Sequence, residues 1–406
     1  MHYEADWVAA VARMLKAGTC PCLPRISMMF LIDARTLGEK PSGIGVYTLN
    51  LLRGIVAAGP DAPVTAWVRP EVLPALPAEV QRSDALRLVA RAGSPASPRS
   101  LWSAGRDAGR GGFGVLHVPD VFAPMLGGPP SIVTLHDVIP LVCKGKLAKS
   151  RKQQLAWVWR RWLKVQCGRA AAVATVSAYS ADDIARVLGV ERTKITAIHN
   201  AVEVDGGGEE AGRKQRGPSP FSGRFILNVG LRFPYKNVDG LVRAFARMRA
   251  AEPALGDVRL VVVGPHDPRY PQAEQEAERL GLGDAVHFAG YVSHCDLAEM
   301  YRDAAVVAVP SYYEGFGLPL AEAMAAGTPA VCSNRASLPE VAGGAALVVD
   351  PDAAGALAGG LARVLNDAAL ADDLARRGRE RAKAFGLATF GAAYLRLYER
   401  VARGAR

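Results

Sequence analysis

Glu314 and Glu322 stand with seven residues between them, inside the run Pro310-Ser-Tyr-Tyr-Glu-Gly-Phe-Gly-Leu-Pro-Leu-Ala-Glu-Ala-Met324. An apolar, β-branched stretch at 305–309 precedes the run and reads as a buried strand; the Ala-rich segment that follows reads as a helix ending at Gly327. Gly315 and Gly317 fall where strand becomes helix, so the backbone folds tightly there. The amides of Gly315, Phe316, Gly317 and Leu318 then point to one spot, together with the positive end of the helix dipole. Such a spot suits an anion, for example a phosphate. Glu322 lies about one turn into the helix, in reach of paired hydroxyls such as those of a ribose, and Glu314 faces the other end of the same ligand. An anion cradle flanked by two hydroxyl-seeking acids describes a nucleotide-sugar site.

Other chemistry-bearing residues fall at the carboxyl ends of expected strands, where ligands bind in open α/β folds. His136 and Asp137 follow an apolar run and are read as part of a strand over 132–140. Arg232 and Lys236 follow the strand 225–230 and are expected to reach a cleft where a departing diphosphate needs its charge neutralised. Gly43 and Gly45 open an amphipathic helix after the first strand, near 28–33. Strand, glycine turn and helix make the opening unit of a Rossmann-like sheet, although a Gly-x-Gly without a third glycine also fits an ordinary strand-to-helix turn.

The phrase Glu-Gly-Phe-Gly-Leu-Pro-Leu-Ala-Glu-Ala-Met resembles the signature of the retaining glycosyltransferases of family 4. With Tyr-Lys-Asn-Val-Asp (235–239) and Ser-Leu-Pro-Glu-Val-Ala (337–342), it is most similar to the branch containing O-antigen mannosyltransferases. The resemblance implies an α/β chain of the GT-B fold, two Rossmann-like domains facing across a cleft. It implies that Gly43 and Gly45 lie against the donor phosphate, that His136 approaches the transferred sugar, and that Lys236 contacts the diphosphate. It places the nucleobase against the backbone near Val292. This chain departs from the pattern at Phe233 and Tyr235, where charged residues are common, and its Arg232 is offset from the usual arginine. The implied donor is a nucleotide sugar, GDP-mannose first, and the implied acceptor a glycan or lipid-linked glycan; no metal or other cofactor is expected. A GT-B sugar-nucleotide epimerase and a non-catalytic nucleotide- or glycan-binding protein are the rival readings.

A chain of 406 residues exceeds what a single core usually serves, and with half of it apolar it can fill two. The expected division is an N-terminal extension (1–27), an acceptor-binding domain (28–203), a linker rich in Gly, Pro and Ser (204–223), a donor-binding domain (224–385), and a terminal helix (386–406). That helix crosses back to the first domain through the stripe Phe390, Tyr394, Leu397 and Tyr398. Six scattered cysteines argue for reduced thiols, and no His/Cys spacing suggests a structural metal. Asp350-Pro-Asp352 spells Asp-x-Asp, a metal motif elsewhere, but its place after a late strand makes it a turn. Segment 91–112, rich in Gly, Ser and Arg, is expected to include a loop facing the cleft.

The formal charge of +10 favours an anionic partner. No acid occurs between Asp137 and Asp182, while 144–169 carries nine Lys and Arg residues interleaved with Trp157, Trp159 and Trp162. One reading is an interfacial element, its cations on anionic headgroups and its indoles at the boundary; the other packs the Trp face on the sheet and leaves the charges solvated. With no apolar run long enough to span a bilayer and no signal-peptide order, the expected location is cytoplasmic, and under the interfacial reading peripheral at the inner face of the cytoplasmic membrane. Nucleic acid is not expected as a partner, since no reader module accompanies the basic stretch.

Overall fold

The computed structural model describes residues 29–38, 43–143, 155–203, 221, 223–353 and 355–404. The extension 1–27, nearly all of the linker 204–223 and the basic run 144–154 lie outside the described residues. Short, apolar, β-branched runs form strands β1 (Phe30–Asp33), β2 (Val64–Val68), β3 (Leu86–Ala90), β4 (Val115–Val118), β5 (Ser131–Thr134), β6 (Ala172–Thr175) and β7 (Ile195–Ala197). They join in one sheet of order β3-β2-β1-β4-β5-β6-β7, every pairing parallel. The second half repeats the scheme with β8 (Phe225–Val229), β9 (Arg259–Val263), β10 (Val286–Gly290), β11 (Val306–Val309), β12 (Ala330–Ser333) and β13 (Leu347–Val349). Their order, again parallel throughout, is β10-β9-β8-β11-β12-β13. Parallel sheets need cover on both faces, and the strands comply: every residue of β2, β4 and β11 is buried.

Each sheet reverses its winding once, between β1 and β4 and between β8 and β11. A crevice opens at such a switch point, outside the carboxyl ends of the strands. The loops after β1, β8 and β11, with the one after β5, carry the residues singled out above.

The terminal helix Leu387–Gly404 returns to the first domain and lies on the helix Gly43–Ala58. Backbones meet there directly: a Cβ on Gly391 would stand 1.8 Å from the Gly54 carbonyl oxygen, so neither helix admits a side chain at the crossing. Phe390, Tyr394, Leu397 and Tyr398 are all at most 2% exposed. Tyr398 reaches through the core to His117 Nδ1 (2.7 Å), and His117 Nε2 lies 2.9 Å from the Thr134 hydroxyl. Burial lowers the pKa of His117 to about 3, so it serves as a neutral hydrogen-bonding group.

Two local expectations are corrected. Segment 91–112 is largely the helix Pro98–Arg110, started by Ser97, whose hydroxyl accepts from the Ser100 amide, and by Pro98 in the first turn. The strand read over 132–140 stops at Thr134: Asp137 Oδ1 accepts from the Ile139 amide (2.9 Å) and turns the chain into a short helix, Ile139–Val142. The helix Ala178–Leu188 is capped by Ser177, whose hydroxyl accepts from the Ser180 amide (3.0 Å). The segment 353–385 divides at Asp367, whose side chain caps the second of two helices, Ala356–Asn366 and Ala368–Ala382.

Candidate active site

Between the two sheets lies a cavity of about 400 Å³. Its C-terminal wall is the loop from β11 into the helix Leu318–Ala326, with Glu314, Gly315, Phe316, Gly317, Leu318 and Glu322 all on the lining. Gly317 is the N-cap, at φ +102°, where a Cβ would also come within 2.7 Å of Leu338. Gly317 brings no side-chain cap to the first turn, where Pro319 has no N–H and the Leu320 amide donates to the Gly317 carbonyl (3.0 Å), so the Leu318 amide and the helix dipole are what suit an anion. From the neighbouring loop, the Ser337 hydroxyl lies 2.9 Å from the carbonyl oxygen of Glu314 and 2.8 Å from that of Phe316, fixing the turn.

Glu314 is 6% exposed, and its carboxylate is held from two sides. Lys236 Nζ donates to both oxygens at 2.7 Å, and the Ser311 hydroxyl donates to Oε1 at 2.7 Å. The loop bearing Lys236 is stitched to this one: the Tyr312 amide donates to the Tyr235 carbonyl (2.7 Å) and Asn237 Nδ2 to the Pro310 carbonyl (3.2 Å). Two charges this deep are tolerated because they neutralise each other and their hydrogen-bonding capacity is used. Glu322 accepts from the Tyr301 hydroxyl at 2.6 Å, and burial raises its pKa against the pull of that bond.

Among the described residues the N-terminal wall carries no charged pair, although the Asp137 carboxylate is on the lining. Gly43 lines it, and a Cβ there would meet nothing within 4 Å, so packing does not demand the glycine; backbone approach to a ligand would. Tyr47, one turn on, lies edge-on to His136 with ring centroids 4.5 Å apart at 89°. His136 Nε2 stands 3.2 Å from the Pro119 carbonyl, which can only accept, so Nε2 holds the proton. Burial lowers the pKa of His136 to about 4, leaving the imidazole neutral at physiological pH. Asn200 is also on the lining, its Oδ1 buried with no partner among the described residues.

Several bonds hold the walls together. Ser177 and Ser180 of the first domain donate to the Gly315 carbonyl at 2.6 and 2.9 Å, and Tyr313 donates to Asp183 at 2.7 Å. Glu340 of the second domain accepts from the amides of Ala178 and Tyr179 and lies 2.7 Å from His199 Nε2. Gly315 permits the closeness, since a Cβ there would come within 2.9 Å of the His136 carbonyl oxygen.

Three candidates are not on the lining. Gly45 is buried inside the first turn of its helix. Arg232 does not enter the cleft as expected: it is 5% exposed, with Nε 3.2 Å from Glu274 and its guanidinium 5.1 Å from the Phe288 ring. The physical reason is a carboxylate on the helix Gln272–Arg279, which draws the side chain back over its own sheet. Val292 is half-buried against the core beyond β10. Asp350 and Asp352 flank a turn tied by Arg335 at 2.8 Å to each. Among the described residues no three His, Cys, Asp or Glu side chains group to hold an ion. Tyr47, Asn200, Ser311 and Tyr301 were not singled out from sequence; only Tyr47, four residues after Gly43 on one helix face, left a spacing signal.

Two Rossmann-like domains with a helix N-terminus, a Lys–Glu pair and a second glutamate around one interdomain cavity define the GT-B class of protein. Comparisons with known proteins narrow this. Residues 41–205 match the model described as Glycosyltransferase Family 4, and 213–381 match that described as Glycosyl transferases group 1. The chain is 31% identical over 305 residues to an MMP alpha-(1->4)-mannosyltransferase of Mycolicibacterium hassiacum, covering 72% of this chain and 71% of that one. It is 30% identical over 265 residues to O-antigen chain mannosyltransferase B of Escherichia coli, covering 63% and 66% respectively, so slightly under two thirds of that relative's length is spanned. The structure of Anabaena HepE in complex with UDP-glucose superposes with a TM-score of 0.69 at 16% identity, over 92% of this chain and 99% of that one. The chain belongs to glycosyltransferase family 4.

Proposed function

We propose that this chain transfers a hexose from a nucleoside-diphosphate sugar to a carbohydrate hydroxyl on a glycan or lipid-linked glycan, with retention of anomeric configuration. One observation carries the reading: Glu314, Lys236, His136, Glu322 and the N-terminus of Leu318–Ala326, drawn from both domains, surround a single cavity. In the reading, the helix amides and Lys236 take the charge of the departing diphosphate, Glu314 holds sugar hydroxyls, and Glu322 holds the ribose. The acceptor hydroxyl attacks the anomeric carbon on the face the leaving group vacates. The carbon–oxygen bond to the diphosphate breaks as the glycosidic bond forms, and the hydroxyl proton passes to the departing phosphate oxygen. No metal has a role in this scheme, so transfer is expected to be unchanged by EDTA.

Mannose, from GDP-mannose, is the proposed sugar, supported by the names of the two relatives above; the UDP-glucose in the Anabaena structure makes that nucleotide the alternative to test. The deciding experiment incubates the full chain with a panel of nucleotide sugars and follows hydrolysis and the shift in melting temperature. GDP-mannose is expected to give the largest response. No response to any donor overturns the transferase reading, and release of an epimerised nucleotide sugar replaces it with the epimerase.

The acceptor side is proposed to meet an anionic membrane surface through 144–169. In the described part, the helix Ala156–Arg169, Trp159 and Trp162 pack on the first domain, Trp162 donating to the Val121 carbonyl at 3.2 Å. Trp157 is 73% exposed, with Leu155 and Val158 exposed beside it and Arg160, Arg161 and Lys164 on the same helix. An outward indole among cations is what an interfacial element needs. Flotation with anionic liposomes is expected to carry the protein, and the Trp157→Ala, Arg160→Glu, Arg161→Glu variant is expected to stay behind; equal flotation of both refutes the idea. Among the described residues no helix is long and apolar enough to cross a membrane.

A further inference from the structure

A second, smaller space of about 220 Å³ adjoins the cavity described above and shares Asp137, Ile139 and Tyr235 with it. Its other walls differ in character, being mostly apolar and aromatic, with Pro140, Phe233 and Tyr270 and the Arg269 guanidinium. Phe233 and Tyr235 stack with centroids 5.7 Å apart at 29°, and Tyr270 meets Phe233 edge-on at 5.5 Å and 88°. Phe233 is only half-buried, so its ring remains accessible. Ile139, Tyr235 and Tyr313 close the domain interface by direct apolar contact immediately alongside, yet here the space stays open.

Two further features point to a ligand. Tyr270 lines the slot, and its hydroxyl is buried with no hydrogen-bond partner among the described residues, a costly arrangement that a small shift of the ring toward a hydroxyl-rich ligand would relieve. An aromatic slot with a few polar groups at its edge also matches one face of a pyranose. The ring's axial C–H bonds carry partial positive charge and are drawn to the negative face of an aromatic ring, while its hydroxyls turn outward to Asp137 and Arg269.

We propose that the slot between Phe233, Tyr270 and the Asp137–Pro140 loop is the acceptor subsite, taking a pyranose stacked on Phe233. The assignment as an acceptor subsite rests on the transferase reading above; the binding of a pyranose is tested independently of it. Since the slot meets the donor cavity at Asp137 and Tyr235, a hydroxyl of the seated ring lies toward the sugar to be transferred. Specificity for the acceptor then comes from Phe233 and Tyr270, neither of which lines the donor cavity.

The test is saturation-transfer NMR on the full chain, saturated with GDP or UDP, using methyl α-pyranosides of mannose, glucose and galactose and, as a ring-free control, sorbitol. At least one pyranoside is expected to show transfer to its axial C–H protons while sorbitol shows none. Phe233→Leu, which keeps apolar volume and removes the ring, is expected to weaken that pyranoside about fivefold and leave nucleotide affinity unchanged. Tyr270→Phe is expected to weaken it as well while raising the melting temperature, because an unsatisfied buried hydroxyl has been removed. Silent pyranosides in the wild type, undiminished signal in Phe233→Leu, or a loss of nucleotide affinity in Phe233→Leu would each overturn the proposal, the last by showing that the slot holds the base. A chain that passes these tests but moves no sugar from any donor keeps the pyranose site and overturns the transferase reading, so the two failures are distinguishable.

Discussion

Across the cavity, Glu314 sits in a web of charge, locked by Lys236 and Ser311, whereas His136 opposite it is an uncharged ring steadied by one carbonyl and the edge of Tyr47. The C-terminal wall carries a buried ion pair and a helix N-terminus; the N-terminal wall presents glycine backbone, an aromatic edge, the uncharged His136 and Asn200, and the Asp137 carboxylate, whose Oδ1 accepts from the Ile139 amide. A buried charge without a partner is costly, so the Lys236–Glu314 pair must be complete before any ligand arrives, while the wall opposite, with no ion pair among the described residues, has less to lose. Disturbing the first wall is therefore expected to affect both stability and transfer, and disturbing the second mainly transfer.

The largest effect is expected at the ion pair. Glu314→Gln should lower kcat by roughly 10²–10³ and, contrary to what a solvated acid would do, destabilise the fold by on the order of 3 kcal/mol, because Lys236 is left without its counter-charge. Pairing it with Lys236→Met should restore most of that stability in urea titrations and none of the transfer. If the single variant unfolds like wild type, the contrast between the walls fails.

Glu322→Gln comes next, with an expected rise of about tenfold in donor KM, the usual size of one lost charge-assisted bond. Since burial raises the pKa of Glu322, acidification should protonate it above the ordinary carboxylate range, weakening the wild type's grip on the donor and leaving the Gln variant's donor KM flat over the same interval.

The smallest effect on transfer separates the walls by pH. His136 titrates near 4 and His117 near 3, both below the ordinary 6.5, so between these values the unfolded chain binds protons that the folded chain refuses. Stability should be full above about pH 6.5 and fall as pH drops toward 4 and then 3. His136→Gln should remove about half of the slope between pH 6.5 and 4 in denaturation curves and leave the half due to His117, which continues toward pH 3.

How much of this was legible in advance depended on whether a feature is set along one element or between several. The glycine turn into Leu318–Ala326, the one-turn placement of Glu322, the parallel alternation of strands and helices, and the apolar stripe of the terminal helix all follow from periodicity and local backbone chemistry, which neighbouring residues dictate. The sequence by itself therefore determined two winding sheets and which turn would open the helix Leu318–Ala326 beside the interdomain cavity. That Lys236 closes on Glu314, that Arg232 is drawn off to Glu274, that two of three Trp rings turn inward, and that Phe233 and Tyr270 border an open slot were decided only by tertiary structure. Spacing gives the direction in which a side chain leaves its own element, but its partner comes from another element, and only the packing of the two sheets and their loops decides which charge or ring stands opposite.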